Sequence, residues 1–222
     1  LQLLGQQPQR ICDFQPMPEL TEIKDELQKG ITFHRKGQLH QAELRYKKTL
    51  QIHPQNAEAY YFMSMIAHQI GKYNVAIELI KKAIEVDPNH FLAHFNLGVR
   101  YGKLPMNIDA ARHFREALRL KPESPMVHYS LAVVCNLIGE TDDAFHHYNE
   151  AIRLNPEFAK AHSNLAMLAY SLKRGKQTIH HLLKSVEMFG KTGDEFMVNN
   201  AKSLLKDCLK EFNLTAEECE TL

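Results

Sequence analysis

The chain has no tryptophan, and only four cysteines, Cys12, Cys135, Cys208 and Cys219, in its 222 residues. Their spacings form neither a zinc knuckle nor a CxxC redox pair, so no metal staple or redox dithiol is expected. So few thiols in a chain of this length suit a reducing compartment, and the expected location is cytoplasmic. Charge of one sign is also lacking: 27 Lys and Arg stand against 26 Asp and Glu, a net charge of +1. That leaves no bulk attraction to nucleic acid or to an anionic membrane surface. No apolar run approaches a bilayer crossing, so no direct membrane insertion is expected. The signatures GxGxxG, the P-loop, HExxH and GxSxG are missing. The adjacent carboxylates Asp142-Asp143 and Glu217-Glu218 fall at a helix start and in the tail, where capping or solvation explains them. No enzyme activity, cofactor or metal is therefore expected. The chain opens on Leu1 rather than Met, as expected if a processed segment precedes it or if it is part of a longer protein.

What is present is a period. Pro54, Pro88, Pro122 and Pro156 are each 34 residues apart. A fixed step of this size marks a repeat architecture. With each proline at position 32, the units are 23–56, 57–90, 91–124, 125–158 and a weaker 159–192. Other columns fall into register. Position 8 holds Gly30, Ser64, Gly98, Ala132 and Ala166, and position 20 holds Ala42, Ala76, Ala110, Ala144 and Thr178. Position 27 holds Thr49, Ala83, Ala117, Ala151 and Ser185, while position 24 holds the bulkier Tyr46, Ile80, Phe114, Tyr148 and Leu182. Small residues at fixed places let two helices approach, and the large one fills the space beside them.

Within a unit the apolar spacing is helical, as with Tyr60, Met63, Ala67 and Ile70, then Ala76, Ile80, Ala83 and Ile84. Gly37, Gly71 and Gly139 share a column where a glycine would end the first helix. The third unit has Pro105 there but keeps its length. Each second helix should stop at the proline. Ser124-Pro125 reads as an N-cap followed by proline in the first turn.

These columns resemble the tetratricopeptide repeat family over residues 21–192. The resemblance implies an all-α fold: a right-handed α-solenoid of stacked antiparallel helix pairs with a concave groove. Residues 1–20, with Pro8, Pro16 and Pro18, are expected to be a linker or extended arm. Residues 193–222 are expected to cap the array. There Phe196, Ala201, Leu204, Leu205, Cys208, Leu209 and Phe212 form the apolar side of a helix over Asp194–Asn213, and the final LTAEECETL is expected to fray.

Thirteen histidines are the unusual feature. His94, His128 and His162 occupy position 4, and His113, His147 and His181 occupy position 23, with His146 and His180 beside the last two. Equivalent residues in successive units lie too far apart to share a metal, so packing or surface roles are expected. Cys135 is expected to be a small buried residue rather than a reactive thiol.

In the family the groove is lined by positions 2, 5, 6, 9, 12 and 13 of the first helices. Carried onto this chain, it would include Leu27, Ile31, Tyr61, Met65, His68, Phe95, Asn96, Val99, Tyr129, Val133, Asn136, Asn164 and Met167. Aromatic and aliphatic residues with scattered amides suit an apolar or amphipathic peptide. The carboxylate clamp of chaperone-binding repeats is absent: Tyr61, Met65, Met126 and Ser130 stand where it needs Lys, Asn, Lys and Arg, and only Asn96 matches. The expected function is a protein–protein interaction scaffold that binds a protein or peptide partner. The alternatives are a substrate-recruiting arm of a larger enzyme, such as a glycosyltransferase, and a self-assembling scaffold or coat.

Overall fold

The repeat prolines and the turn glycines set where helices begin and end. The computed structural model describes residues 18–219, all of whose regular structure is helical. The chain divides into two compact units, Leu1–Val86 and Asp87–Leu222. Unit 1 contains α1 (Pro18–Arg35), α2 (Leu39–Ile52), α3 (Ala57–Gln69) and α4 (Tyr73–Val86). Unit 2 contains α5 (Phe91–Lys103), α6 (Asn107–Leu120), α7 (Pro125–Ile138), α8 (Thr141–Leu154), α9 (Ala159–Ser171), α10 (Gly175–Thr192) and α11 (Glu195–Phe212), then a short 3-10 turn, Glu217–Cys219. Helices pack as consecutive pairs, α1 on α2, α3 on α4, α5 on α6, α7 on α8 and α9 on α10. Of the expected arm, residues 18–20 open α1, and residues 1–17 lie outside the described residues. No described helix is long and apolar enough to cross a membrane.

The second helices stop at Ile52, Val86, Leu120 and Leu154, two residues before each repeat proline. Proline has no N–H to continue the ladder, and it disfavours helical backbone in the residue before it. Gly37, Gly71 and Gly139 close the first helices with φ of 72°, 78° and 84°, backbone that a Cβ would strain. The fifth unit puts Lys173 in that column at φ 58°. Asn56 caps α3 by accepting from the Ala59 N–H at 2.9 Å. Ser124 stands at the cap position before Pro125, but its side chain makes no capping bond, so Pro125 alone opens α7.

The small and bulky columns meet as expected. A Cβ added at Gly30 would lie 2.5 Å from the Tyr46 ring, and one at Gly98 would lie 2.8 Å from the Phe114 ring. Tyr46, Ile80, Phe114, Tyr148 and Leu182 are all buried, as are the small residues of positions 20 and 27. Close approach of two helices needs one side to give up volume.

At the C-terminal end, α11 packs on α10. Leu204, Leu205, Cys208, Leu209 and Phe212 join Ala166, Ile179 and Leu182 in one cluster. The Phe212 ring sits against Gly175, where a Cβ would be 2.7 Å away. Two expectations are corrected here. Phe196 is 77% exposed rather than on the packed side, because Met197 and Val198 take the contacts with Met188 and Phe189. The tail up to Cys219 is not frayed: Leu214 joins the cluster, Cys219 is buried, and the Cys219 carbonyl accepts from His180 Nδ1 at 3.0 Å.

Candidate functional site

In unit 2 the first helices α5, α7 and α9 present one face with repeating chemistry. Leu92 and Met126, both at position 2, are exposed, and so is Met167 at position 9. Phe95 is half-buried between Phe91 and Phe114, whose rings lie 6.4 and 5.9 Å away. Tyr129 lies 4.8 Å from the Phe158 ring, and its hydroxyl accepts from Asn164 Nδ2 at 3.2 Å. Burial raises the Tyr129 phenol above its ordinary range, with the Asn164 bond opposing. Asn96 Nδ2 donates to the Leu92 carbonyl at 2.9 Å. Val99 and Val133 are half-buried, and Asn136 is exposed. Met126, Tyr129, Phe158 and Phe189 line a cleft of about 360 Å³, with Glu157, Lys160 and Asp194 among its polar residues. Leu92, Met126, Phe158 and Phe189 were outside the residue set expected from sequence, although Leu92 and Met126 occupy a groove column.

The unit 1 members are less accessible. Leu27 and Ile31 pack against the cluster of Ala42, Tyr46, Ala59 and Ile66. Tyr61 is only 6% exposed, its ring 5.4 Å from that of Phe62. Met65 is half-buried, and the His68 ring lies 5.3 Å from that of Tyr73.

The histidine columns pair with each other inside a repeat, which same-column comparison does not reveal. His94, His128 and His162 each bring Nδ1 to 3.1 Å from Nδ1 of His113, His147 and His181 respectively. Their Nε2 atoms lie 3.1, 2.9 and 3.1 Å from the carbonyl oxygens of Pro88, Pro122 and Pro156. A carbonyl only accepts, so Nε2 of each first-helix histidine carries the proton. Its Nδ1 is then the acceptor, and the second-helix histidine donates from Nδ1–H. Burial pushes His113 and His147 down to about 4 and His181 down to about 3, with neighbouring histidines adding to the effect. Burial also lowers His128 and His162, against the proline carbonyl bonds. In unit 1 the same two columns hold Glu26 with Arg45, and Tyr60 with Leu79. Glu26 is 3% exposed and accepts from Arg45 at 3.1 Å and Lys48 at 3.2 Å. Burial alone would raise its carboxyl, but these two cations outweigh it and hold the carboxyl below its ordinary range.

Cys135, Glu140 and Asp143 bring ligand atoms within 4.8 Å of one another, the one such group among the described residues. The Arg115 guanidinium already supplies the cation: it bonds Glu140 and lies 3.3 Å from Asp143 and 3.9 Å from Cys135 Sγ. Burial and the Glu140 contact push the Cys135 thiol up to about 12, as expected for an unreactive buried cysteine.

No curated protein sequence matches the chain. Among solved structures, MamA is 25% identical with a TM-score of 0.67, over 74% of this chain and 96% of that one. YrrB, described as a TPR protein with an unusual peptide-binding site, is 17% identical with a TM-score of 0.70, over 84% and 98%. PilF of Pseudomonas aeruginosa is 19% identical with a TM-score of 0.64, over 88% and 98%. The likeness to YrrB and PilF is one of fold. That fold is the one used by protein–protein interaction scaffolds. Tetratricopeptide repeat profiles match residues 57–90, 109–145 and 138–177. Profile matches, repeat period and helix pairing agree: the chain belongs to the tetratricopeptide repeat family.

Proposed function

We propose that this protein is a non-enzymatic scaffold whose unit 2 face, along α5, α7 and α9, binds an extended apolar segment of a partner protein. One observation carries the reading: Leu92, Met126 and Met167 stay exposed beside half-buried Phe95 and Tyr129, with amides spaced between them. The family core columns are buried elsewhere, so packing does not require this apolar row to be open. Exposed aromatic and methionine surface of this kind gains free energy when water leaves it. Methionine adapts to different ligand shapes, and Asn96, Asn136 and Asn164 suit the polar backbone of an extended peptide. A preformed helical face loses little entropy on binding. The peptide-binding site described for YrrB makes such a use of this fold reasonable.

The test uses peptides selected from a random display library against the whole chain. Enriched peptides should carry spaced aromatic or aliphatic residues. They should protect α5, α7 and α9 from hydrogen exchange. Phe95→Ser with Tyr129→Ser and Met126→Ser should weaken binding at least about tenfold with helix content unchanged. Selected peptides that bind elsewhere, or bind the triple variant equally well, would remove the reading.

A further inference from the structure

We propose that unit 2 contains an acid-sensitive latch. In the neutral state three histidine pairs tie first helix, second helix and the preceding proline turn together, and they loosen unit 2, but not unit 1, as pH falls below neutrality.

The basis is proton counting. A pair that keeps its Nδ1–H···Nδ1 bond has one open nitrogen, Nε2 of His113, His147 or His181. It can therefore take at most one proton. A second proton would have to sit on Nδ1 of His94, His128 or His162, which would set two N–H groups 3.1 Å apart head to head. The unfolded chain takes two protons per pair near an ordinary imidazole pKa of about 6.5.

The surroundings do not welcome even the first proton. Asp109, Glu116 and Arg112 of α6 face the first pair, with the Tyr101 ring of α5 at 5.7 Å. Glu150, Asp143, His146 and Arg153 of α8 face the second, with Arg115 of α6. Glu187, Lys184 and His180 of α10 face the third. Every one of these carboxylates already has a cation: Asp109 has Arg112, Glu116 has Arg119, Asp143 has Arg115, Glu150 has Arg153, and Glu187 has Lys184 and Lys191. An imidazolium at these pairs would have to share a carboxylate that is already ion-paired.

The sign follows. Below pH ~6.5 the unfolded chain binds more protons than the native one, so stability falls as pH falls. The contribution is fully present above the unfolded value and is lost progressively toward the native values of about 4, 4 and 3 at His113, His147 and His181. Each proton of difference changes the folding constant by about tenfold per pH unit, so even one proton per pair gives about a thousandfold per pH unit over three pairs. In unit 1 the Glu26 carboxyl contributes fully above its ordinary value of 4.5 and is lost progressively below it, so between pH ~6.5 and 4.5 the histidine pairs respond and this ion-paired slot does not.

Hydrogen exchange of the full chain at pH 7.5 and 5.5, normalised for intrinsic rates, tests this. Protection should drop at least about tenfold in α5–α10 and hold in α1–α4. The variant H94Y/H113L/H128Y/H147L/H162Y/H181L, which copies Tyr60 and Leu79 of the second repeat, should lose that drop. Equal protection at both pH values in the native chain, or an undiminished drop in the variant, overturns the latch. Should the variant not fold, imidazole nitrogen NMR of the native chain decides. Nε2–H forms are expected at His94, His128 and His162, Nδ1–H forms at the other three, and no protonation of His113, His147 or His181 above pH ~5.5. Ordinary titration of those three near pH ~6.5 overturns it.

Discussion

Two units built on one repeat fill the same interhelical slot in opposite ways. The first repeat of unit 1 uses charge: Glu26 is buried, while its partners Arg45 and Lys48 keep 40% and 44% of their side chains in water. Unit 2 uses three neutral imidazole pairs. The same slot takes an ion pair in the first repeat, Tyr60 beside Leu79 in the second and a histidine pair in each of the next three. What changes is the response to damage. An exposed arginine or lysine that loses its carboxylate can turn to solvent, whereas a half-buried histidine that loses its partner keeps an unmet donor.

The strongest way to separate the units is to remove what covers the end of unit 2. Cutting after Gly193 deletes α11 and the tail. Leu204, Leu205, Leu209, Phe212 and Leu214 are partly buried in the cluster with Ile179 and Leu182. At about half of a full burial each, their loss should cost about 5 kcal/mol. Calorimetry should show a large fall in Tm and light scattering should show association, while exchange protection in α1–α4 stays unchanged. A truncated chain that melts with the intact one would show that α11 is not a cap.

The slot itself can be broken in each unit at neutral pH. His162→Ala leaves the His181 donor and the Pro156 carbonyl without their partner and should cost about 2–3 kcal/mol. Glu26→Ala should cost about 1 kcal/mol, since only water-accessible cations are stranded. Urea midpoints at pH 7.5 give both values, and equal losses would erase the contrast drawn above. At pH 5 the His162→Ala penalty should shrink, because the native pair has by then lost part of its advantage.

The smallest difference is expected where the units are alike. Gly30→Ala and Gly98→Ala both push a methyl into an aromatic ring, at 2.5 and 2.8 Å. Each should cost about 1–3 kcal/mol, with the unit 1 change slightly worse. Phe114→Leu should rescue Gly98→Ala in a double-mutant cycle. Independent, additive losses would mean that the ring does not fill that space.

Much of this fold could be read from single residues. A proline period, a glycine at positive φ and an alanine beside a tyrosine are local choices with local consequences, so their columns predicted helix ends and buried contacts. The histidine pairs were harder because each joins two columns 19 residues apart. Comparing equivalent positions between repeats separates the partners. The usable signal was that both columns turn to histidine in the same three repeats, and that the first repeat puts an acid and a base in the same two columns. The tail's packing is not legible in the sequence because its six residues carry no period: Leu214 and Cys219 pack while the charged residues between them face water. The groove residues were identified through the family resemblance, and Tyr61 is the member that packing claims instead.

The turn column has a final implication. Gly37, Gly71 and Gly139 cross it in left-handed backbone, Lys173 does so with a side chain attached, and Pro105, which cannot adopt positive φ, follows an extended Leu104 at φ −93° and ψ 150°. Three chemical solutions yield the same step, since the second helices start at Leu39, Tyr73, Asn107, Thr141 and Gly175, 34 residues apart regardless. The repeat is thus a cassette whose connector is free to drift while its reading frame in space is kept by the packed columns on either side. A connector exchanged between repeats should leave every downstream helix in phase.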